Sequence, residues 1–261
     1  MNLAVPVRSL TELQGFAHAI ISAMDKGKLI KVGIENNNEN RSIAWALDFP
    51  GCFAYGSSET EALIRIPQAL IAFKSWLEGY TNNSWLQNLG DFDIRLVETC
   101  QFHFLNEQYE HATQGLEVGS WFHHDWLPLN ETEIQHGLCV VRWAHQDLLE
   151  LTAALSEAQL EQEHAGERWN IREILRHVAD AEWWYLERLS LASCNKEDLP
   201  AETWERLNFT LEQYSKVLPA LENQENVLGR EGEFWSPRKI VRRACWHALD
   251  HCQHIHKLLT A

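Results

Sequence analysis

Several features of common protein classes are missing from this chain of 261 residues. Its six cysteines include no CxxC pair, which argues against a zinc ribbon and against a thioredoxin-type motif. The N-terminus has no basic region followed by a long apolar run, as a signal peptide would, and no stretch is apolar for the length of a membrane span. We therefore expect a cytoplasmic protein with reduced, mostly structural thiols and no membrane partner.

Positive charge is also scarce. Lysine and arginine number 22 against 37 aspartates and glutamates, so the formal net charge is −15. A basic surface is not implied, and nucleic acid is not expected as a partner. Tryptophan, in contrast, is abundant with twelve residues, which predicts wide aromatic packing surfaces and raises the possibility of a homodimer interface. The length and the 45% hydrophobic content predict a globular protein with two domains or one large one.

The first 80 residues have the pattern of an α+β domain. An amphipathic helix is predicted at 9–27, followed by alternating segments at 29–35 and 42–48 that form a hairpin around an asparagine-rich turn. A third short strand is predicted at 52–57. Ser58 then caps a helix with an apolar face that runs to Leu77. The sequence therefore predicts a three-stranded sheet with helices.

The segment around the predicted third strand of this domain carries a motif. Its sequence is DFPGCFAYGSSETEAL at 48–63, followed by IPQAL at 66–70. Over about residues 28–78 it resembles the HicB-like antitoxin domain. That resemblance implies a role in binding a protein partner or in oligomerisation. No DNA-binding ribbon or helix-turn-helix segment follows the helix.

Residues 81–130 are predicted to be an extension or linker with one strand at 93–102. This region contains His123 and His124. Adjacent side chains on a strand point to opposite sides, so this pair is not expected to supply two ligands to one site.

From residue 131 onward the pattern is helical. Capping signals at Asn130 and Asn170 start two helices, apolar spacing predicts a third at 201–221, and Ser236 with proline after it starts the last. Four helices joined by modest loops predict an all-α four-helix bundle at residues 131–261.

The last helix places histidines where a bundle helix normally has leucines. His247, His251 and His254 share one stripe with apolar residues, whereas His256 falls on the opposite side. His177 lies beside the apolar stripe of the second bundle helix. Taken singly, each ring is more typical of a hydrogen-bonded core histidine than of a ligand. Two rings one turn apart favour a metal, because an unpartnered buried ring costs about 1–3 kcal/mol.

Two motifs in this region carry a second resemblance. They are WNIREILRHVADAE at 169–182 and HxxxHxxHI starting at His247. Over about residues 137–259 they resemble the DinB family of metal-binding four-helix bundles. The resemblance implies that His177, His247 and His251 bind a divalent metal. It also implies a metal-dependent hydrolase or a thiol-dependent transferase, although His254 stands where the family often has glutamine.

Three neutral imidazoles suit Zn²⁺, Ni²⁺ or a similar ion, and they leave a coordination position for water or a small-molecule substrate. The site is not a zincin, because Ala248 stands where HExxH requires glutamate. Asp180 and Glu173, one turn on either side of His177, are candidate catalytic residues as imidazole acceptors or proton shuttles; both could equally be ordinary surface carboxylates. His254 is a possible fourth ligand or substrate contact.

Two functions therefore remain open. The first is an enzyme, a hydrolase or thiol-dependent transferase that uses the three-histidine metal site. The alternative is a non-catalytic binding or oligomerisation module, in which the HicB-like domain binds a protein partner and the metal is structural or vestigial.

Overall fold

The structure is a computed structural model and describes residues 28–260. The predicted helix at residues 9–27 lies outside the described residues. Within them, a region built on a β-sheet precedes a helical region, as predicted.

A hairpin and a third strand form most of the sheet. Strands β1 (Lys28–Asn38) and β2 (Arg41–Ala46) pair antiparallel, and β3 (Phe53–Gly56) pairs antiparallel with β2. Asn37 and Asn40 at the turn of the hairpin both adopt a left-handed φ of 63°, which asparagine tolerates better than most residues. Helix α1 (Glu59–Tyr80) follows, and the Ser58 hydroxyl accepts a hydrogen bond from the Glu61 N–H as its cap.

The sheet has four strands, so the prediction of three is wrong. Strand β4 (Phe92–Gln101) pairs parallel with β1, which gives the order β3-β2-β1-β4. Alternation in the sequence indicated this strand but not its neighbour, because parallel pairing joins segments that are distant in the chain. The segment predicted as a linker thus completes the sheet. The HicB-like identity of this region stays a prediction.

The rest of the 81–130 segment forms a small sheet and one short turn of helix. The small sheet has the order β6-β5-β7, and the helical turn is a 3₁₀-helix. Their bounds are β5 (His103–Leu105), β6 (His111–Ala112), β7 (Leu116–Val118) and the 3₁₀-helix at His123–Trp126.

Four long helices form the predicted bundle. They are α2 (Glu131–Thr152), α4 (Ile171–Arg188), α5 (Thr203–Val217) and α6 (Pro237–Thr260), with the single-turn α3 (Glu157–Leu160) between the first two. Between α5 and α6 runs a two-stranded hairpin, β8 (Leu228–Arg230) and β9 (Glu233–Trp235). None of the helices within residues 28–260 has the length and apolarity needed to cross a membrane.

Capping fixes where the bundle helices begin. Asn130 and Asn170 each accept a hydrogen bond from a backbone N–H three residues later, with a glutamate closing the capping box. Ser236 Oγ accepts from the Lys239 N–H at 3.2 Å, and the proline after Ser236 is the first residue of α6. These caps confirm the predicted starts of three helices.

The sheet and the bundle share one apolar core. Trp45 of β2 packs edge-on against Trp246 of α6 at 5.2 Å between ring centroids. The indole N–H of Trp246 donates to the hydroxyl of Tyr55 on β3, at 3.0 Å. Helix α6 is therefore in contact with the sheet on one side and with the bundle on the other.

The first two turns of α6 bury cationic side chains that pair with other parts of the chain. Arg242 bonds Asp125 of the 3₁₀-helix at 2.7 Å, and both side chains are buried. Lys239 pairs with Glu233 at 2.8 Å. Because Asp125 comes from the segment predicted as a linker, that segment also anchors the last helix of the bundle.

The Arg242–Asp125 pair gives a stability test. Replacement of Asp125 by asparagine keeps the size of the side chain but leaves the Arg242 charge buried without its partner. We expect the free energy of unfolding in chemical denaturation to fall by about 3–5 kcal/mol. The control is Glu212→Gln, which breaks an exposed pair with Lys216 and should cost about 1 kcal/mol or less. Equal losses in the two variants would contradict a structural role for the buried pair.

Candidate metal centre

Two helices of the bundle bring three imidazoles together. His177 lies on α4, and His247 and His251 lie one turn apart on α6. Their potential ligand nitrogens are all within 4.8 Å of one another, and they form the only group of this kind found among residues 28–260. The three residues predicted as metal ligands therefore meet at one point.

The distances within the cluster are short. His247 Nε2 lies 3.1 Å from His177 Nε2 and 3.2 Å from His251 Nε2. His247 and His251 are buried, whereas His177 is only partly buried. The cluster thus has a buried side on α6 and a side at α4 that reaches towards solvent.

All three rings have lowered pKa values. Burial, followed by the neighbouring imidazoles, holds the pKa of His247 well below its usual range. Burial lowers the pKa of His251 to about 3. It also lowers the pKa of His177, although the nearby Asp180 opposes this effect. The rings are therefore neutral at neutral pH, which is the form that binds a metal.

This arrangement fits a divalent metal. Nitrogen ligands at about 2.0–2.1 Å from a tetrahedral zinc ion lie about 3.3 Å apart, close to the two Nε2 separations of 3.1 and 3.2 Å. Imidazole also suits both zinc and nickel. The donor set and its spacing therefore match the predicted cofactor.

The Nδ1 atoms of His247 and His251 are buried and have no hydrogen-bond partner within the described part of the chain. Aromatic packing surrounds these rings instead. Tyr185 lies edge-on to His247 at 6.0 Å, and Trp246 lies 5.7 Å from the same ring. The orientation of the ligands is thus set by packing, without the carboxylate acceptor that metal-bound histidines often have.

Asp180 and Glu173, predicted as candidate catalytic residues, have other partners in the structure. Asp180 pairs with Arg206 at 2.5 Å and with Lys196 at 3.5 Å. The Glu173 carboxylate accepts from the Asn170 N–H at 3.0 Å and closes the capping box of α4. A catalytic role for either residue stays a prediction.

His254 lies beside the cluster but outside it. Its Nε2 is 3.0 Å from Glu167 Oε2, and its ring centroid is 5.9 Å from that of His251. His254 is therefore not one of the clustered ligand groups, and its contact with a substrate stays a prediction. His256 is exposed, as expected.

The adjacent pair His123 and His124 lies away from the histidine cluster. His123 is exposed at the start of the 3₁₀-helix. His124 is buried, with its Nε2 3.4 Å from Asp48 Oδ1 at the end of the hairpin. Neither belongs to the metal cluster.

A buried carboxylate in the bundle was not predicted. Glu182 is fully buried, lies 2.7 Å from His145 Nε2 and accepts from the Thr210 hydroxyl at 2.7 Å. Its place one turn after Val178 on the apolar stripe of α4 was the signal that could have revealed it. The contacts of Glu182 join three bundle helices and do not include the three clustered histidines.

Comparison with known proteins agrees with this geometry. Residues 141–255 match the DinB superfamily. The matched segment contains all three clustered histidines and His254. It covers less than half of the chain and leaves out the sheet region.

One solved structure is also similar to part of this chain. It is described as YfiT from Bacillus subtilis, a probable metal-dependent hydrolase with an unusual four-helix bundle topology. The sequences are 18% identical, and the alignment covers 51% of this chain and 89% of that one with a TM-score of 0.42. No curated protein matches this chain.

The metal content of the protein tests the centre. Protein purified without a metal-affinity tag is expected to carry about one divalent transition metal per chain. Replacement of His177, His247 or His251 by alanine should each remove most of it, because two imidazoles alone hold these ions weakly. His256→Ala is the matched control on α6 and should keep the metal, as should His254→Ala. Elemental analysis gives the ratio, and full metal in His247→Ala would contradict the assignment.

Proposed function

We propose that the protein is a metal-dependent enzyme, a hydrolase or a thiol-dependent transferase, that acts on a small molecule at the three-histidine centre. The observation that carries this proposal is the composition of the cluster. It holds three neutral imidazoles, and the ring of His177 is partly exposed. Structural zinc sites have four protein ligands, whereas three ligands leave a position for water or substrate.

The chemistry would come from the bound ion. A divalent metal held by three imidazoles acts as a Lewis acid that polarises an oxygen of the substrate and makes water more acidic. His177, His247 and His251 would hold it. The buried surroundings of His247 and His251 exclude water from the α6 side, so a substrate would approach from the side of His177.

The rim on that side is formed by the segment that leads into α4. The ring of Trp169 lies 4.3 Å from the ring of His177, and the guanidinium of Arg168 lies 4.6 Å from the Trp169 ring. An indole and a cation beside the opening offer an apolar contact and a charged contact to a substrate. They are the residues best placed to orient it.

A proton carrier is available in His254. Its Nε2 lies 3.0 Å from Glu167 Oε2, and its ring lies next to that of His251. Asp180 is engaged by Arg206 and Lys196. His254 is therefore better placed than Asp180 to act as a general acid or base.

The thiols of α6 are not suited to act as the nucleophile. Cys245 and Cys252 are buried and point to backbone carbonyls of α2. Burial raises the pKa of both thiols above their usual range. If the reaction is a thiol transfer, the thiol would therefore come from a second substrate.

Activity and metal can be tested together. Metal-free protein is reloaded with zinc, nickel, manganese or cobalt and screened against ester, amide and thiol-transfer substrates. We expect activity with at least one ion, none after chelation, and none in His247→Ala. His254→Gln should keep the metal but lower kcat by about 100-fold, in the range found for loss of a general acid or base.

A screen without turnover would contradict the proposal of an enzyme. The decisive case is a protein that holds one metal per chain but shows no metal-dependent turnover with any substrate in the screen. It would favour the alternative of a binding module with a structural metal. Unchanged kcat in His254→Gln would contradict only the role of that residue.

A further inference from the structure

A cavity lies on the side of α6 that faces away from the three clustered histidines. We call it the seam cavity. It has a volume of about 900 Å³ and lies between β3, α1, α2 and α6. This size is typical of sites for small molecules, which often lie where two parts of a fold meet. Its apolar walls are formed by Phe53, Ala69, Phe73, Trp76, Leu151 and Leu249.

Two carboxylates of α2, Asp147 and Glu150, also line the seam cavity. Asp147 accepts hydrogen bonds from the indole N–H of Trp76, at 2.7 Å, and from the hydroxyl of Tyr80. Glu150 accepts from the side-chain amide of Gln146 at 2.7 Å. All of these donors are neutral.

No lysine or arginine within residues 28–260 forms an ion pair with either carboxylate. The arginine that lines the seam cavity, Arg65, is paired with Glu61 on its own helix. The seam cavity therefore carries two carboxylates that no lysine or arginine of residues 28–260 neutralises. Asp147 is half-buried, and a charge in that position favours a ligand that brings the opposite charge, whereas Glu150 is exposed.

Two aromatic residues of α1, Phe73 and Trp76, line the seam cavity together with Asp147. The two rings stack on each other with 5.7 Å between their centroids. Aromatic walls attract cations, most strongly where water is excluded. The carboxylates and these rings thus act in the same direction on a positively charged group.

We propose that the seam cavity binds a small organic cation with an apolar body, such as an alkylammonium. The ammonium group lies between Asp147 and the nearby aromatic rings, and the apolar body packs against Phe53, Phe73 and Leu249. An anionic ligand is repelled by both carboxylates. A neutral one gains only the apolar contact.

A matched series of probes tests this inference. Hexylammonium, hexanol and hexanoate share one apolar body and differ in the charge of the head group. Isothermal titration of the full chain should show saturable binding of hexylammonium at one site. We expect its Kd to be at least about tenfold lower than that of hexanol, with no binding of hexanoate.

Variants locate the site. Asp147→Asn should raise the Kd of hexylammonium by about tenfold or more, and Glu150→Gln should raise it by a smaller factor because its charge is exposed. Glu212→Gln removes one negative charge from the exposed face of α5 and should leave the Kd unchanged. Circular dichroism and metal content identify any variant that fails to fold. If Asp147→Asn fails to fold, Glu150→Gln still tests the proposal, because the carboxylate of Glu150 is exposed.

Three results would overturn the proposal. They are equal affinity for hexanol and hexylammonium, an unchanged Kd in both carboxylate variants, and no saturable binding of any probe. The absence of saturable binding would overturn it whatever else occupies the seam cavity. The residues that line the seam cavity do not belong to the metal centre, so the outcome of this test and the outcome of the activity screen are independent.

Discussion

Helix α6 buries two kinds of polar side chain, and the rest of the structure depends on how each kind is neutralised. Its first turns carry cations, and its middle carries imidazoles. A buried polar group without a partner costs stability, and a buried charge without one costs more. The cations form ion pairs with carboxylates from other parts of the chain, as Arg242 does with Asp125. The imidazoles of His247 and His251 lie against each other and close to His177, and we propose a metal ion as the partner of all three.

This constraint explains why the sheet region and the bundle are joined so closely. Asp125 and Glu233, which pair with the cations of α6, lie in segments between the main elements of the fold. Trp246, adjacent to His247, packs between Trp45 and Phe53 of the sheet. The sheet thereby covers the side of α6 that the bundle leaves free. The histidine face of the same helix is then held in one orientation towards α4.

The histidine cluster could be predicted from two signals. His247 and His251 share a helical face by their spacing, which is local, and the resemblance to the DinB family pairs them with His177 on another helix. The caps at Asn130 and Asn170 could be predicted from local signals alone, because their partners are three residues away.

Contacts between distant segments could not be predicted in this way. The partner of His254 is Glu167, far away in the sequence, so its role remained open between ligand and substrate contact. Strand β4 was visible as a strand, but its pairing with β1 was not. Asp125 looked like part of a linker because nothing near it in the chain reveals Arg242.

The central claim is that three imidazoles hold one metal ion, and X-ray absorption spectroscopy tests it most directly. Protein loaded with one equivalent of zinc should show three imidazole nitrogens at about 2.0–2.1 Å from the metal. In His251→Ala, the contribution of one of these rings should disappear. Scattering from sulfur at about 2.3 Å, or fewer than three imidazoles in the unaltered protein, would contradict the account.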